Sequence, residues 1–139
     1  KNGVSDPEVI YETAKRFPKV PVILGHMGLG GDKAHEAGIK TLIKSIDNND
    51  ARLYADLAWV DWDNPNKPHI VEAIDKLQHS SKGDMTERLL FGTDAPLGVF
   101  GEKALKQKGA YDQNIKNISR IFYRNSKKLL DKQNINITG

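Results

Sequence analysis

Three short apolar runs, Val20–Gly25, Arg52–Trp59 and Leu89–Thr93, alternate with longer segments of helical periodicity, and this alternation constrains the fold more than any other feature. The runs lie about 30 residues apart, enough for a helical crossover and too much for a hairpin, so consecutive strands should be parallel. The first run holds PVILG, a continuous apolar sequence of the kind buried on both faces of a parallel sheet. The second, RLYADLAW, sets Leu53 and Leu57 on one face and Tyr54 and Asp56 on the other. The third, Leu89-Leu90-Phe91, stops at Gly92-Thr93-Asp94, with Pro96 blocking its continuation. The expected class is α/β with parallel (β/α) units.

The intervening segments read as helices. Ser5 and Glu8 form a capping-box pattern with Pro7 in the first turn, and Val9, Ile10, Ala14 and Phe17 make an apolar stripe ending at Pro18. From Asp32, residues Ala34, Ala37, Leu42, Ile43 and Ile46 recur at helical spacing until Asp47-Asn48-Asn49-Asp50 ends the run. Gly38, inside this helix, costs stability or marks a bend. Ile70, Val71, Ile74 and Leu77 predict a further helix ending near Ser80, and Ile115, Ile118 and Phe122 another over 111–122. Ser126 is placed to cap a last short helix over Leu129 and Leu130, with a frayed tail at 133–139.

The 139 residues, 38% hydrophobic and 28% charged, suit one soluble domain spanning 1–139. No apolar stretch approaches the ~18 residues of a membrane span, and KNGVSDPEV lacks the apolar region of a signal peptide, so no membrane is expected as a partner. The chain starts at Lys1, which leads us to expect an upstream part. Absence of cysteine excludes disulfides and thiolate metal sites and makes a reducing cytoplasm the default location. Charge is uneven: residues 101–139 carry nine Lys/Arg against three Asp/Glu, a local +6 within a net +3. These cations sit singly at helical spacing without aromatic stacking partners, so they read as a solvated face and no nucleic acid is expected.

In a parallel sheet, ligands bind where the strands end at their C-termini. Two chemically capable side chains occupy such ends: His26 after the first strand and Asp94 after the third. Asp94 alone more commonly suits a cap or turn before Pro96, and His26 alone would suit a satisfied histidine at a strand end. The glycines at 28, 30 and 31 fit neither phosphate-binding pattern and are expected to permit a tight turn beside the site. Trp59 and Trp62 follow the second strand, where they could pack a substrate or anchor a loop. Asp56 is expected to face the sheet interior in a polar network. His35, His69 and His79 fall on helices and are expected to be surface or capping residues.

Taken in order, VPVILGHMGLGG, RLYADLAW, RLLFGTDAP and IFYRNSKKLL resemble the C-terminal half of the amidohydrolase-related metal-dependent hydrolases and decarboxylases, a TIM-barrel family. The resemblance runs from about Ser5 to Leu130 and implies that the strands are the sixth, seventh and eighth of the barrel. A closed barrel needs about 250 residues. The chain would then need a missing N-terminal half, or another copy of itself, to cover its sheet edges.

The resemblance also implies roles. Asp94 corresponds to the aspartate that binds a divalent metal, zinc first among the candidates, and helps deprotonate its water. His26 corresponds to the histidine that orients that water or, in some branches, ligates metal. The family's His-x-His pair has no counterpart, since no H-x-H occurs in the sequence. A catalytic zinc usually takes three protein ligands, so the chain alone should bind metal poorly and be inactive. The expected parent activity is hydrolysis of a small amide, ester or lactone. Metal-dependent decarboxylation and a noncatalytic half-barrel used for assembly or binding are the alternatives.

Overall fold

The computed structural model describes residues 6–28, 32–58, 60, 69–92 and 124–132. Helix α1 (Pro7–Ala14) leads into strand β1 (Pro21–Leu24), followed by a turn over Gly25–Gly28 and helix α2 (Asp32–Asn48). Strand β2 (Arg52–Asp56), helix α3 (His69–Gln78), strand β3 (Leu89–Leu90) and helix α4 (Asn125–Asp131) complete the described elements. The sheet order is β1-β2-β3 and both pairings are parallel, with Val22 opposite Leu53, Leu24 opposite Ala55, and Asp56 opposite Leu90. This is the α/β arrangement expected from the alternation. The expected helix over 111–122 and the tail at 133–139 lie outside the described residues. No described helix is long and apolar enough to cross a membrane.

Alternation along β2 separates two packing layers. Leu53 and Ala55 join Leu24 and Leu89 in the main core, against Ile39, Leu42 and Ile46 of α2, Ala73, Ile74 and Leu77 of α3, and Tyr11 and Ala14 of α1. Tyr54, pointing the other way, packs with Leu90 and with Leu129 of α4. The sheet is therefore covered on one face by three helices and met on the other by α4. Arg88 ties the layers together, its Nη1 donating to the Leu53 carbonyl at 3.0 Å while its guanidinium lies 5.0 Å from the Tyr54 ring centroid.

Three local expectations are corrected. The N-cap of α1 is Asp6, whose Oδ1 accepts the Glu8 N–H at 2.9 Å; Ser5, the expected cap, lies outside the described residues. The buried side of α1 runs through Pro7, Tyr11 and Ala14, whereas Val9 and Phe17 of the expected stripe are exposed. Tyr11 can be wholly buried because its hydroxyl, 2.8 Å from both Asp50 carboxylate oxygens, donates to that carboxylate and accepts from Asn48 Nδ2 at 2.9 Å.

Ser126 is not the cap of the last helix either. Helix α4 begins one residue earlier, at Asn125, whose buried Nδ2 donates to the carbonyls of Thr86 and Leu89, 2.8 Å away in each case. Those carbonyls lie at the entrance of β3, so one amide fastens α4 to the start of the strand. At the C-terminal end of α2, the longest of the described helices, Asn49 adopts φ 53°, the left-handed conformation that closes it.

Candidate functional site

The C-terminal ends of the strands converge on a short turn in an unusual backbone state. Directly after Leu24, His26 (φ 51°, ψ 36°) and Met27 (φ 51°, ψ 30°) are both left-handed, and Gly28 follows at φ 110°. For residues bearing a Cβ this region costs roughly 1–2 kcal/mol each, so the surroundings must hold the turn in place. Met27 is wholly buried and Gly28 is packed so tightly that a Cβ there would lie 2.7 Å from Pro7 Cγ and 3.0 Å from the Ala34 carbonyl oxygen. The glycine expected to permit a tight turn does so at position 28. Positions 30 and 31 lie outside the described residues.

Asp56, the last residue of β2, organises the polar side of this turn. Its Oδ1 accepts the His26 N–H at 3.2 Å and the Ala58 N–H at 3.0 Å. The Ala58 carbonyl in turn faces His26 Nδ1 at 2.9 Å. A carbonyl can only accept, so Nδ1 carries the hydrogen of this contact. His26 Nδ1 and Asp56 Oδ1 are 4.0 Å apart, too far for a direct hydrogen bond, and their side chains are about a quarter exposed, 25% and 23%. The polar network expected around Asp56 is thus present, and it acts on the backbone that carries His26.

The third strand approaches the same point. A Cβ at Gly92 would stand 2.9 Å from Ala58 Cβ and 3.4 Å from Asp56 Oδ1, so a glycine lets the exit of β3 lie against the exit of β2. Beside these strand ends, and along the sheet face that α4 meets, is a cavity of about 450 Å³. His26 and Asp56 give it a polar end, while Ile23, Phe91, Leu90 and Leu129 make most of its wall apolar. A mostly apolar space with few polar groups at one end suits a small organic ligand.

Of the site residues expected from sequence, His26 stands at this cavity. Asp94, Trp59 and Trp62 lie outside the described residues. Among the described residues, no three His, Asp or Glu side chains are grouped so as to hold a metal ion. Two of the helical histidines depart from the expected surface placement: His35 and His69 are buried, with rings 5.4 Å apart in an edge-to-face contact. His79 is exposed as expected, and its Nδ1 lies 2.9 Å from the Asp75 carbonyl oxygen. The Ala58 carbonyl escaped sequence reasoning because a main-chain acceptor has no residue-type signature.

Comparison with known proteins bears on the same segment. No curated protein and no solved structure is a significant match to the chain. The family model described as amidohydrolase matches residues 3–132, which include all three strands, the His26 turn and α4. By that match, over nearly the whole of its length, the chain belongs to the amidohydrolase family.

Proposed function

We propose that the chain supplies the last three strand–helix units of a (β/α)8 barrel in a metal-dependent hydrolase acting on a small amide, ester or lactone. The supporting observation is His26: an imidazole at the C-terminal end of a parallel strand, its tautomer fixed by the Ala58 carbonyl, beside a mostly apolar cavity. Family membership supports hydrolase chemistry, and amidohydrolases usually bind divalent metals.

The residues fit such an ion in part. An imidazole whose Nδ1–H is engaged by a backbone carbonyl has the second-sphere support usual for a metal-binding histidine. Among the described residues no group of three His, Asp or Glu side chains supplies the donor set that a catalytic ion needs. In this reading Asp94 is a ligand, zinc is the first candidate, and the remaining ligands and strands come from an upstream half or a second copy of the chain. When bound, a divalent ion brings the pKa of its water toward about 7. Nε2 is then the atom at which His26 accepts a proton or a metal bond, Asp94 accepts a proton, and Trp59 and Trp62 pack the substrate.

The test uses the intact protein containing this chain, assayed on amides, esters and lactones alongside elemental analysis of bound metal. Asp94→Asn should lower metal occupancy together with turnover, and His26→Gln should lower turnover by about 10²-fold or more. Two variants that keep wild-type turnover and metal content would overturn the reading.

A further inference from the structure

Gly38 lies in the interior of α2, where an alanine would ordinarily favour the helix. Here a Cβ would fall 1.8 Å from the Met27 carbonyl oxygen, 2.7 Å from its carbonyl carbon and 3.3 Å from its Cγ. The two nearest atoms are backbone, so a flexible side chain cannot swing aside to make room. The Met27 peptide therefore sits in a notch on α2 that only glycine leaves open. The same turn is pressed from α1, where Pro7 Cγ approaches Gly28.

We infer that Gly38 is a positioning residue for His26, seating the Met27 carbonyl against α2 so that the left-handed turn delivers the imidazole to the Ala58 carbonyl. Met27 and His26 are consecutive left-handed residues, so a displacement of the Met27 peptide rotates the peptide that joins it to His26. The notch acts through the main chain that joins Met27 to His26. The seat depends on the carbonyl and not on the methionine side chain, which distinguishes this from ordinary core packing. The inference deepens the role proposed for His26, yet it concerns the placement of the ring and can be read without any assay of hydrolysis.

The experiment is ¹⁵N NMR of histidine-labelled intact protein, with the His26 signals assigned by their loss in His26→Gln. Wild type should show a protonated, slowly exchanging Nδ1. Gly38→Ala should lose the slowly exchanging Nδ1–H and move Nδ1 out of the protonated range. Gly83→Ala provides the control for general destabilisation: Gly83 is also left-handed, at φ 87°, but has open space where its Cβ would stand. It should leave the His26 signals at their wild-type positions. Met27→Ala removes the side chain while keeping the carbonyl and should also preserve the Nδ1–H signal. A folded Gly38→Ala protein with wild-type His26 signals would overturn the inference. So would loss of the Nδ1–H in Met27→Ala or Gly83→Ala, and this holds even where Gly38→Ala fails to fold.

Discussion

The His26 Nδ1–H reaches the Ala58 carbonyl across 2.9 Å, linking the turn after β1 to the chain just beyond β2. Because the His26 and Ala58 N–H groups share one Asp56 oxygen, ring, turn and strand end form a closed circuit of three hydrogen bonds. Circuits of this kind fix an imidazole's orientation without adding a charge at its far nitrogen.

The circuit separates two effects at Asp56. Asp56→Ala leaves two backbone donors without their acceptor, and the expected loss is about 2–4 kcal/mol. Asp56→Asn retains an oxygen that can accept both, so its loss should be less than half as large. Urea unfolding of the two variants checks this; equal losses would mean that the carboxylate's charge, and not its role as acceptor, matters.

Asn125 offers a sharper substitution. Its Nδ2 donates to two carbonyls, and Asn125→Asp keeps the shape while replacing that donor by an oxygen facing both acceptors. The expected cost is about 3 kcal/mol or more, above that of Asn125→Ala, because the aspartate adds repulsion to the lost bonds. Thermal unfolding of the pair decides the order.

Tyr11→Phe should destabilise by about 1–2 kcal/mol, since it strips the half-buried Asp50 and Asn48 contacts of their shared hydroxyl. Burial, the largest influence, pushes the Tyr11 phenol above its ordinary 10.0. A raised folded-state value means that this stabilisation is complete below pH 10 and is lost as pH climbs through the folded value. The alkaline limb of the stability curve should therefore be shallower in Tyr11→Phe.

Acid acts on a different contact. The Lys128 ammonium of α4 holds the Glu87 carboxyl below its usual 4.5. With the folded value depressed, the contribution is present above about pH 4.5 and disappears as pH falls through the folded value. Urea midpoints of wild type and Glu87→Gln should differ near neutrality and converge in acid. A constant gap down to pH 3 would rule out this linkage.

The strands were legible because their apolar runs are short and evenly spaced, and β2 was legible down to the facing of Tyr54 and Asp56, but β1, expected to be buried on both faces, buries only Leu24 and leaves Ile23 exposed beside the cavity. The buried side of α1 departs from the expected stripe at Tyr11, which counts as half polar until Asp50 and Asn48 are seen to satisfy it. The same blindness hid His35 and His69, two buried polar rings that meet edge to face. His26 was legible as a residue type at a strand end. Its left-handed backbone was not, because that conformation is imposed by Gly38, Pro7 and Asp56, all distant in sequence. Gly38 itself read as a defect in a helix when it is the space into which another peptide fits.

The Asn125 anchor also sets a schedule for synthesis. The Thr86 and Leu89 carbonyls precede their shared partner by 39 and 36 residues. At about 5–20 residues per second, β3 leaves the ribosome roughly 2–8 s before the amide that fastens α4 to it. During that interval the Tyr54 and Leu90 face is without Leu129, so a nascent chain halted before Asn125 lacks both the apolar contact and the amide anchor that seat α4.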